Sequence, residues 1–309
     1  MTAGEPLPPP TVAHALAEGT ARLREAGVPT PDLDAERLLR HVLGWDRARL
    51  LAEAAARLPG EAWPAFSSLL AERAERRPLQ HLTGTQWFWR HEFRVTPDVL
   101  VPRPETELIV EAALERLRGV SRPVAVDVGT GSGCIALSLA AERPDALLVA
   151  VDVSAAALEV ARENARRLGL ESHVRFEEGD LLDPVRDLWG AIDLVASNPP
   201  YVGLDEAPSL PVEVRLHEPP VALHPPGDRY RVYRRLAPAA ARALKPGGGL
   251  LLEIGLGMSD GVVEAVEGAG FTVDRVIPDL QSIPRTVAAT RLPEPAGPHP
   301  AGPARRRLP

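Results

Sequence analysis

The segment Asn198-Pro199-Pro200-Tyr201 combines residue types that could hold a planar nitrogen group for reaction. An asparagine side-chain oxygen and a neighbouring backbone carbonyl can each accept one N–H of an amide or aromatic amine. Two prolines fix the backbone and remove competing donors, and the ring of Tyr201 offers a face on which a flat group can pack. Held in this way, a conjugated nitrogen can turn its lone pair toward an electrophile without a general base. Asn198, Pro199 and Tyr201 are therefore the candidate catalytic residues.

A glycine-rich turn, residues 129–133, follows a short apolar run and precedes a helical pattern. Glycines at 129, 131 and 133 allow a sharp turn and let a ligand lie against bare peptide. The dinucleotide-binding fingerprint would place its third glycine at position 134, where this chain has Cys134. The pattern instead favours S-adenosylmethionine, with its carboxylate near the backbone amides of the turn. An ordinary strand–turn–helix connection is the alternative interpretation of this segment alone.

Acidic residues follow the neighbouring predicted strands. Asp152 stands at the end of the next strand, where a carboxylate can accept hydrogen bonds from ribose hydroxyls. Asp180 follows the third strand, where the adenine edge would lie, and Asp127 precedes the glycine turn. Each acid alone could be a solvated loop residue or a helix cap. Their combined spacing predicts a cofactor site formed by Gly129, Thr130, Gly131, Ser132, Gly133, Asp152 and Asp180.

Strands and helices alternate from about residue 105 onward. The predicted strands lie at 124–128, 147–151, 174–176, 192–197 and 249–254, with helical patterns between most of them. This alternation predicts an α/β fold with a doubly wound, Rossmann-like and mostly parallel sheet. Two further strands without an intervening helix, at 272–277 and 286–290, predict an antiparallel end to that sheet. Because such sheets bind ligands at the carboxyl ends of their strands, the motifs above should converge.

The first part of the chain is predicted to be helical. Residues 11–77 contain four or five apolar patterns of helical period, including one at 48–58, and predict a small bundle. Aromatic and β-branched residues between 78 and 102 predict a β-hairpin, with Trp87 and Trp89 packed between two domains; direct contact with a ligand is the alternative interpretation of these tryptophans. The predicted division is 1–77 for the helical domain, 78–102 for the hairpin linker and 103–292 for the sheet domain. Residues 293–309, rich in proline and glycine, are expected to be a disordered tail.

Composition limits the possible partners. The net charge of −7 disfavours a protein whose main partner is nucleic acid. With a single cysteine, Cys134, the chain cannot form an internal disulfide or a thiolate metal cluster. Cys134 itself is predicted to be a small buried residue. No apolar run approaches the length of a membrane span, and the first ten residues lack a signal-peptide pattern. We therefore expect a cytoplasmic monomer with no bound metal, no membrane association and no stable nucleic-acid partner.

The chain resembles the release factor glutamine N5-methyltransferases of the PrmC/HemK family over roughly residues 12–291. The segment Pro-Arg-Pro-Glu-Thr-Glu at 102–107 and the helical N-terminal part are the most specific points of likeness. The asparagine–proline–proline–tyrosine motif is shared with adenine N6-methyltransferases. The matching segments are 77–84, 96–107, 127–133, 198–201, 217–219 and 253–255.

The resemblance implies methylation of the glutamine in the Gly-Gly-Gln tip of peptide chain release factors. It implies that Leu181 and Asn198 also contact the cofactor and that residues 198–201, including Pro200, hold the glutamine amide. Residues 103–107, including Arg103 and Glu105, would line the same opening. The chain departs from the family pattern at Pro220, at 225–230 and at 256–258, all on the substrate side.

Two functions other than glutamine methylation could use the same motifs. An adenine N6-methyltransferase acting on DNA or RNA would use the same residues, 198–201, on a flipped base. The net charge of −7 and the absence of a separate base-reading module in the sequence argue against it. A cofactor-binding scaffold without activity would be expected to lack a complete amide-holding motif, which this chain has.

Overall fold

The computed structural model describes residues 9–293. Within them the helical N-terminal part forms a small bundle around Leu23, Leu38, Phe66 and Leu70, all at most 1% exposed. Gly19 allows close packing, because a Cβ atom there would lie 2.8 Å from the Phe66 ring. The helices of this part are α1 (Val12–Glu25), α2 (Pro31–Leu43), α3 (Arg47–Ala52), α4 (Ala62–Ala74) and α5 (Leu79–Thr83).

The helix predicted at 48–58 is shorter than expected, since α3 ends at Ala52. The residues after it pair with the beginning of the chain. The backbone N–H groups of Val12 and Ala13 donate to the carbonyls of Ala56 and Ala54. These N–H groups belong to the first turn of α1 and have no partner within that helix. The segment after α3 therefore satisfies the start of α1 instead of continuing as a helix.

The predicted hairpin is formed by β1 (Thr85–Phe88) and β2 (His91–Arg94), paired antiparallel. Successive side chains of a strand point to opposite faces, so Phe88 is buried in the core of the sheet domain while Trp87 is 65% exposed. The prediction that Trp87 packs between the domains is therefore wrong. Trp89 contacts the sheet domain, where its indole N–H donates to Glu142.

The remaining strands form one seven-stranded sheet in the order β5-β4-β3-β6-β7-β9-β8. Strands β3 to β7 pair in parallel, and the last two strands pair antiparallel, which confirms the predicted α/β fold class. The strands are β3 (Val124–Val128), β4 (Leu147–Asp152), β5 (Val174–Glu178), β6 (Ile192–Ser197), β7 (Leu244–Glu253), β8 (Phe271–Pro278) and β9 (Pro284–Arg291).

Helices cover both faces of this sheet. The helices α6 (Glu107–Arg116), α7 (Cys134–Glu142) and α8 (Ala155–Leu168) pack on one face, and α11 (Arg231–Ala243) and α12 (Ser259–Glu267) pack on the other. Two short helices, α9 (Val212–His217) and α10 (Pro220–Leu223), lie between β6 and β7. Short 3₁₀ helices occur at Pro104–Thr106, Glu171–His173, Asp183–Leu188 and Ala207–Ser209.

The strand order places a crevice beside β3. The chain runs outward from β3 through β4 to β5 and then returns to place β6 on the other side of β3. Such a reversal leaves a ligand crevice at the carboxyl ends of the strands. The glycine turn follows β3 and Asn198 follows β6, so both predicted motifs lie at this crevice.

Two predictions about the organisation of the chain are not decided by the described residues. The predicted tail, 293–309, lies outside the described residues except for residue 293. The predicted domain boundaries at 77/78 and 102/103 stay predictions. Across 9–293, no helix has the length and apolar character needed to cross a bilayer.

Candidate active site

A cavity of about 270 Å³ opens at the carboxyl ends of β3, β4 and β6. It is continuous from the glycine turn to the segment after β6. Three predicted site residues, Gly133, Glu105 and Tyr201, are not among those that line it. The predicted site residues in its wall are Gly129, Thr130, Gly131, Ser132, Asp152, Asp180, Leu181, Asn198, Pro199, Pro200 and Arg103.

The glycine turn has two kinds of glycine. Gly131 has a φ of +55°, and a Cβ atom there would meet nothing within 4 Å, so its backbone faces open space. Gly133 has a φ of +82° and precedes α7, and a Cβ atom there would lie 3.0 Å from Leu137. Gly131 therefore leaves room for a ligand against the peptide, whereas Gly133 permits the close packing of α7.

Asp152 ties the end of β4 to the glycine turn. Its carboxylate accepts hydrogen bonds from the backbone N–H groups of Gly131 and Ser154, both at 2.9 Å. Burial raises the pKa of this carboxyl above its ordinary value, although these backbone donors oppose the shift. Each carboxylate oxygen can accept more than one hydrogen bond, so Asp152 could still bind two ribose hydroxyls.

Asp180 has a partner that the sequence did not indicate. Its exposed carboxylate forms an ion pair with Arg235 of α11, and both side chains line the cavity. The helical pattern around residue 235 carries no motif, so sequence reasoning had no signal for this arginine. An adenine placed here would lie beside a neutralised carboxylate and the apolar side chain of Leu181.

Asp127, which precedes the glycine turn, lies behind the cavity. It accepts a hydrogen bond from the Thr130 hydroxyl at 2.6 Å and another from the Ala136 N–H at 3.2 Å. Burial raises the pKa of Asp127 to about 7, against the effect of these hydrogen bonds. Asp127 thus holds the turn against the start of α7.

The geometry of this cavity fits S-adenosylmethionine. The bare peptide at Gly131 could take the methionine end, and the Asp152 carboxylate lies in the wall where ribose hydroxyls would need an acceptor. Val153 and Leu181 supply apolar surface for a flat base. These are the residues that could hold the cofactor.

Asn198 is linked to a buried carboxylate through a threonine. Its Nδ2 donates to the Thr106 hydroxyl at 3.2 Å, and that hydroxyl donates to Glu253 at 2.6 Å. The Tyr201 hydroxyl donates to the other carboxylate oxygen of Glu253 at 3.3 Å. Burial raises the pKa of Glu253 to about 7. The described structure thus places Tyr201 outside the cavity lining, bonded to Glu253.

Arg103 connects the cavity to the segment between β6 and β7. Its guanidinium donates to both carboxylate oxygens of Glu218, at 2.6 and 2.8 Å, and Glu218 is only 5% exposed. Glu218 and Glu253 received no role from the sequence, and Thr106 was expected only to line the opening, as it does. Each of the three lies in a segment that carries the family resemblance. Motif membership was therefore the available signal for these three residues.

Cys134 is buried at the start of α7, as predicted. Burial raises the pKa of its thiol to about 12, so the thiol stays protonated and is a poor nucleophile near neutral pH. In residues 9–293 no group of three or more His, Cys, Asp or Glu side chains is arranged to hold a metal ion.

Comparison with known proteins gives two family matches. Residues 14–84 match the model of the PrmC N-terminal domain, and residues 105–212 match the methyltransferase small domain. Solved methyltransferase structures are more distant. The ribosomal protein L11 methylase of Lactobacillus delbrueckii subsp. bulgaricus is 19% identical, with a TM-score of 0.45 over 62% of this chain and 81% of that chain.

Curated relatives match nearly the whole chain. The release factor glutamine methyltransferase of Cereibacter sphaeroides is 46% identical over 91% of this chain and 98% of its own length. The protein of the same name from Moorella thermoacetica is 44% identical, over 92% of this chain and 100% of its own. The release factor glutamine methyltransferase of Deinococcus radiodurans is 43% identical, over 89% of this chain and 97% of its own length. The chain therefore belongs to the release factor glutamine methyltransferase family and is an S-adenosylmethionine-dependent methyltransferase.

Proposed function

We propose that this protein methylates the side-chain N5 of the glutamine in the Gly-Gly-Gln motif of peptide chain release factors. The observation that carries the proposal is the position of Asn198. It follows β6, lines the same cavity as the glycine turn and Asp152, and is bonded through its Nδ2 to Thr106. Its side-chain oxygen is thereby left to accept an N–H of a bound amide. The names of the relatives support the choice of release factors.

The residues of this chain would act by positioning. The Asn198 oxygen accepts one N–H of the glutamine amide and a backbone carbonyl of the following prolines accepts the other. The amide nitrogen can then turn its lone pair toward the methyl group that bound S-adenosylmethionine supplies on its sulfonium. The cofactor would supply this methyl group, its sulfur leaving as the thioether, and the methylated nitrogen would then lose one proton. Catalysis of this kind depends on orientation and on exclusion of water.

The helical domain is proposed to take part in recognition of the substrate. Its described residues, 9–77, line no part of the cavity, so they do not contact the reacting groups. Contacts away from the reaction centre can hold a large substrate in place and improve transfer at that centre.

We also propose that the protein works in the cytoplasm as a monomer, without stable binding to nucleic acid. The net charge of −7 supports the last point.

The test is methyl transfer to purified release factors. The protein is incubated with isotopically labelled S-adenosylmethionine and each release factor, and the products are mapped by tandem mass spectrometry. We expect label on the Gly-Gly-Gln glutamine, and none on a factor whose motif glutamine is replaced by alanine. Adenine-containing DNA and RNA are assayed in parallel. Labelled adenine at a rate that rivals the protein substrate would overturn the proposal in favour of a nucleic-acid methyltransferase.

A further inference from the structure

A buried hydrogen-bonded chain runs from the end of β7 to the cavity. It consists of Glu253, Thr106 and Asn198, with donor–acceptor distances of 2.6 Å and 3.2 Å. Glu253 and Thr106 are each 2% exposed. Neither Glu253 nor the Tyr201 side chain bonded to it lines the cavity, so the carboxylate does not reach a ligand directly. Any effect of Glu253 on the reaction must therefore pass through its partners.

The direction of each hydrogen bond follows from the groups present. An ionised carboxylate can only accept, so the single hydroxyl proton of Thr106 is committed to Glu253. The Thr106 oxygen is then an acceptor toward Asn198 and selects the Nδ2 end of the amide. With Nδ2 occupied, the Oδ1 end of Asn198 remains for a ligand. Reversal of the amide would set two acceptors, the threonine and amide oxygens, against each other.

We propose that Glu253, acting through Thr106, is the positioning residue that sets which end of the Asn198 amide meets the substrate. The inference rests on the proposed function, because it matters only if a bound group donates an N–H to Asn198. Tyr201 contributes to the same arrangement by donating its hydroxyl to the second oxygen of Glu253.

The arrangement depends on the charge of Glu253. Burial raises the pKa of this carboxyl to about 7. A protonated Glu253 can donate to Thr106, which frees the threonine hydroxyl proton to point at Asn198 and favours the reversed amide. The proposal therefore predicts that turnover falls as the pH falls through about 7. The titratable and charged groups that face Glu253 are Tyr201, Tyr233, Arg285, Glu105 and Cys134.

The test compares two changes at Thr106 with one at Thr286. Thr106→Val removes the hydroxyl with little change of shape, and Thr106→Ser keeps it. Thr286→Val is the matched control, because Thr286 is buried, pairs in register with Glu253, and has a hydroxyl with no hydrogen-bond partner in the described structure. We expect T106V to lower kcat by about 10-fold to 100-fold, by analogy with the loss of a partner that orients a metal-binding side chain. T106S and T286V should stay near wild type.

The separate readouts distinguish positioning from folding. The T106V protein should keep the wild-type affinity for S-adenosylmethionine, measured by calorimetry, and a KM for the release factor close to wild type. Near-normal kcat in T106V would overturn the proposal, as would an equal loss in T106V and T286V. Wild-type protein that does not methylate release factors would instead overturn the proposed function.

The pH dependence supplies an independent measurement. Glu253→Gln cannot ionise, so its kcat should be nearly flat between pH 6 and 8.5, a window of about 1 unit or more on either side of the pKa of about 7. The wild-type kcat should rise through the same window. If E253Q keeps the wild-type rise with pH, another group is responsible and Glu253 does not set the amide orientation. Melting temperatures of all variants identify any that fail to fold.

Discussion

A substitution at Asn198 should reduce methyl transfer strongly while it changes the affinity for the cofactor much less. Asn198→Ala removes the proposed acceptor for the glutamine amide but leaves the glycine turn and Asp152 unchanged. We expect kcat/KM to fall by about 100-fold to 1,000-fold, roughly 2.7–4 kcal/mol of barrier, as for loss of one preorganised contact to a reacting group. The assay is steady-state transfer of labelled methyl to a release factor, with cofactor affinity measured by calorimetry. Near-normal turnover would contradict the amide-holding role.

A substitution at Asp152 should instead weaken binding of the cofactor. Asp152→Ala removes a carboxylate that lines the cavity and also releases the Gly131 and Ser154 N–H groups. Hydrogen bonds to a charged group contribute about 1.5–3 kcal/mol each, so the Kd for S-adenosylmethionine should rise at least 10-fold. Asp187→Ala is the control, since Asp187 is an exposed acid of the same domain that does not line the cavity. Equal affinity in wild type and D152A would exclude contact with the ribose.

At the scale of elements, the ends of the strands determine which segments meet. The glycine turn follows β3, Asp152 ends β4, Asn198 follows β6 and Glu253 ends β7. Since β3, β4, β6 and β7 are parallel neighbours, their carboxyl ends lie at one edge of the sheet. Four segments far apart along the chain therefore contribute to one site or to its immediate support.

A substitution at Gly255, in the turn after β7, would test whether the position of Tyr201 matters for the site. A Cβ atom there would lie 2.9 Å from the Tyr201 ring and 3.0 Å from the Met258 sulfur, so alanine must displace one of them. Overpacking of this kind costs about 1–3 kcal/mol, and a shifted Tyr201 would lose its bond to Glu253. We expect Gly255→Ala to lower both the melting temperature and kcat. At Gly60 a Cβ atom would meet nothing within 4 Å, so G60A is the matched control. Unchanged kcat in G255A would show that the Tyr201 position is unimportant.

At the scale of the whole molecule, an ion-pair cluster connects the helical bundle to the segment beside the cavity. Arg73 of α4 is 5% exposed and bonds to Asp34 of α2 at 2.7 Å and to Glu213 of α9 at 2.9 Å. Arg76 donates to both oxygens of Glu213. The same segment carries Glu218, the partner of Arg103 in the cavity wall. The bundle is thus physically joined to the substrate side of the site.

Glu213→Gln should weaken this connection without touching the cavity. Burial would raise the pKa of Glu213, but the hydrogen bonds from Arg76 and Arg73 outweigh it and lower the pKa to about 2. A carboxyl with a lowered pKa stabilises the fold above its unfolded value of 4.5, and this contribution is lost as the pH falls toward 2. The melting temperature of E213Q should therefore lie below that of wild type at pH 7, with a gap that narrows from pH 4.5 downward.

The same variant tests whether the bundle takes part in substrate recognition. If bundle and cavity act together on one substrate, E213Q should lower kcat/KM for an intact release factor while the Kd for S-adenosylmethionine stays the same. The control is Glu72→Gln, which removes a more exposed ion pair within the bundle, between Glu72 and Arg77. Equal kcat/KM for wild type and E213Q would mean that the link to α9 is structural only.

The sequence by itself determined the fold class, the cofactor class and several of the segments that line the cavity. The glycine turn, the strand-to-helix alternation and the motif at 198–201 are local features, decided by residues within a few positions of one another. The helix predicted at 48–58 was too long because its last turn pairs with the beginning of the chain. Helix propensity, which is summed over a short stretch of sequence, contains no information on a pairing partner that lies far away along the chain.

Only the tertiary structure decided which side chains support the reacting groups. Thr106 is separated from Asn198 by 92 positions and from Glu253 by 147, and the sheet order is what brings them together. The pairing of Asp180 with Arg235 and the bond from Tyr201 to Glu253 have the same origin. Such contacts depend on the packing of whole elements, because burial and strand neighbours, and not nearby residues, select the hydrogen-bond partner of each polar group.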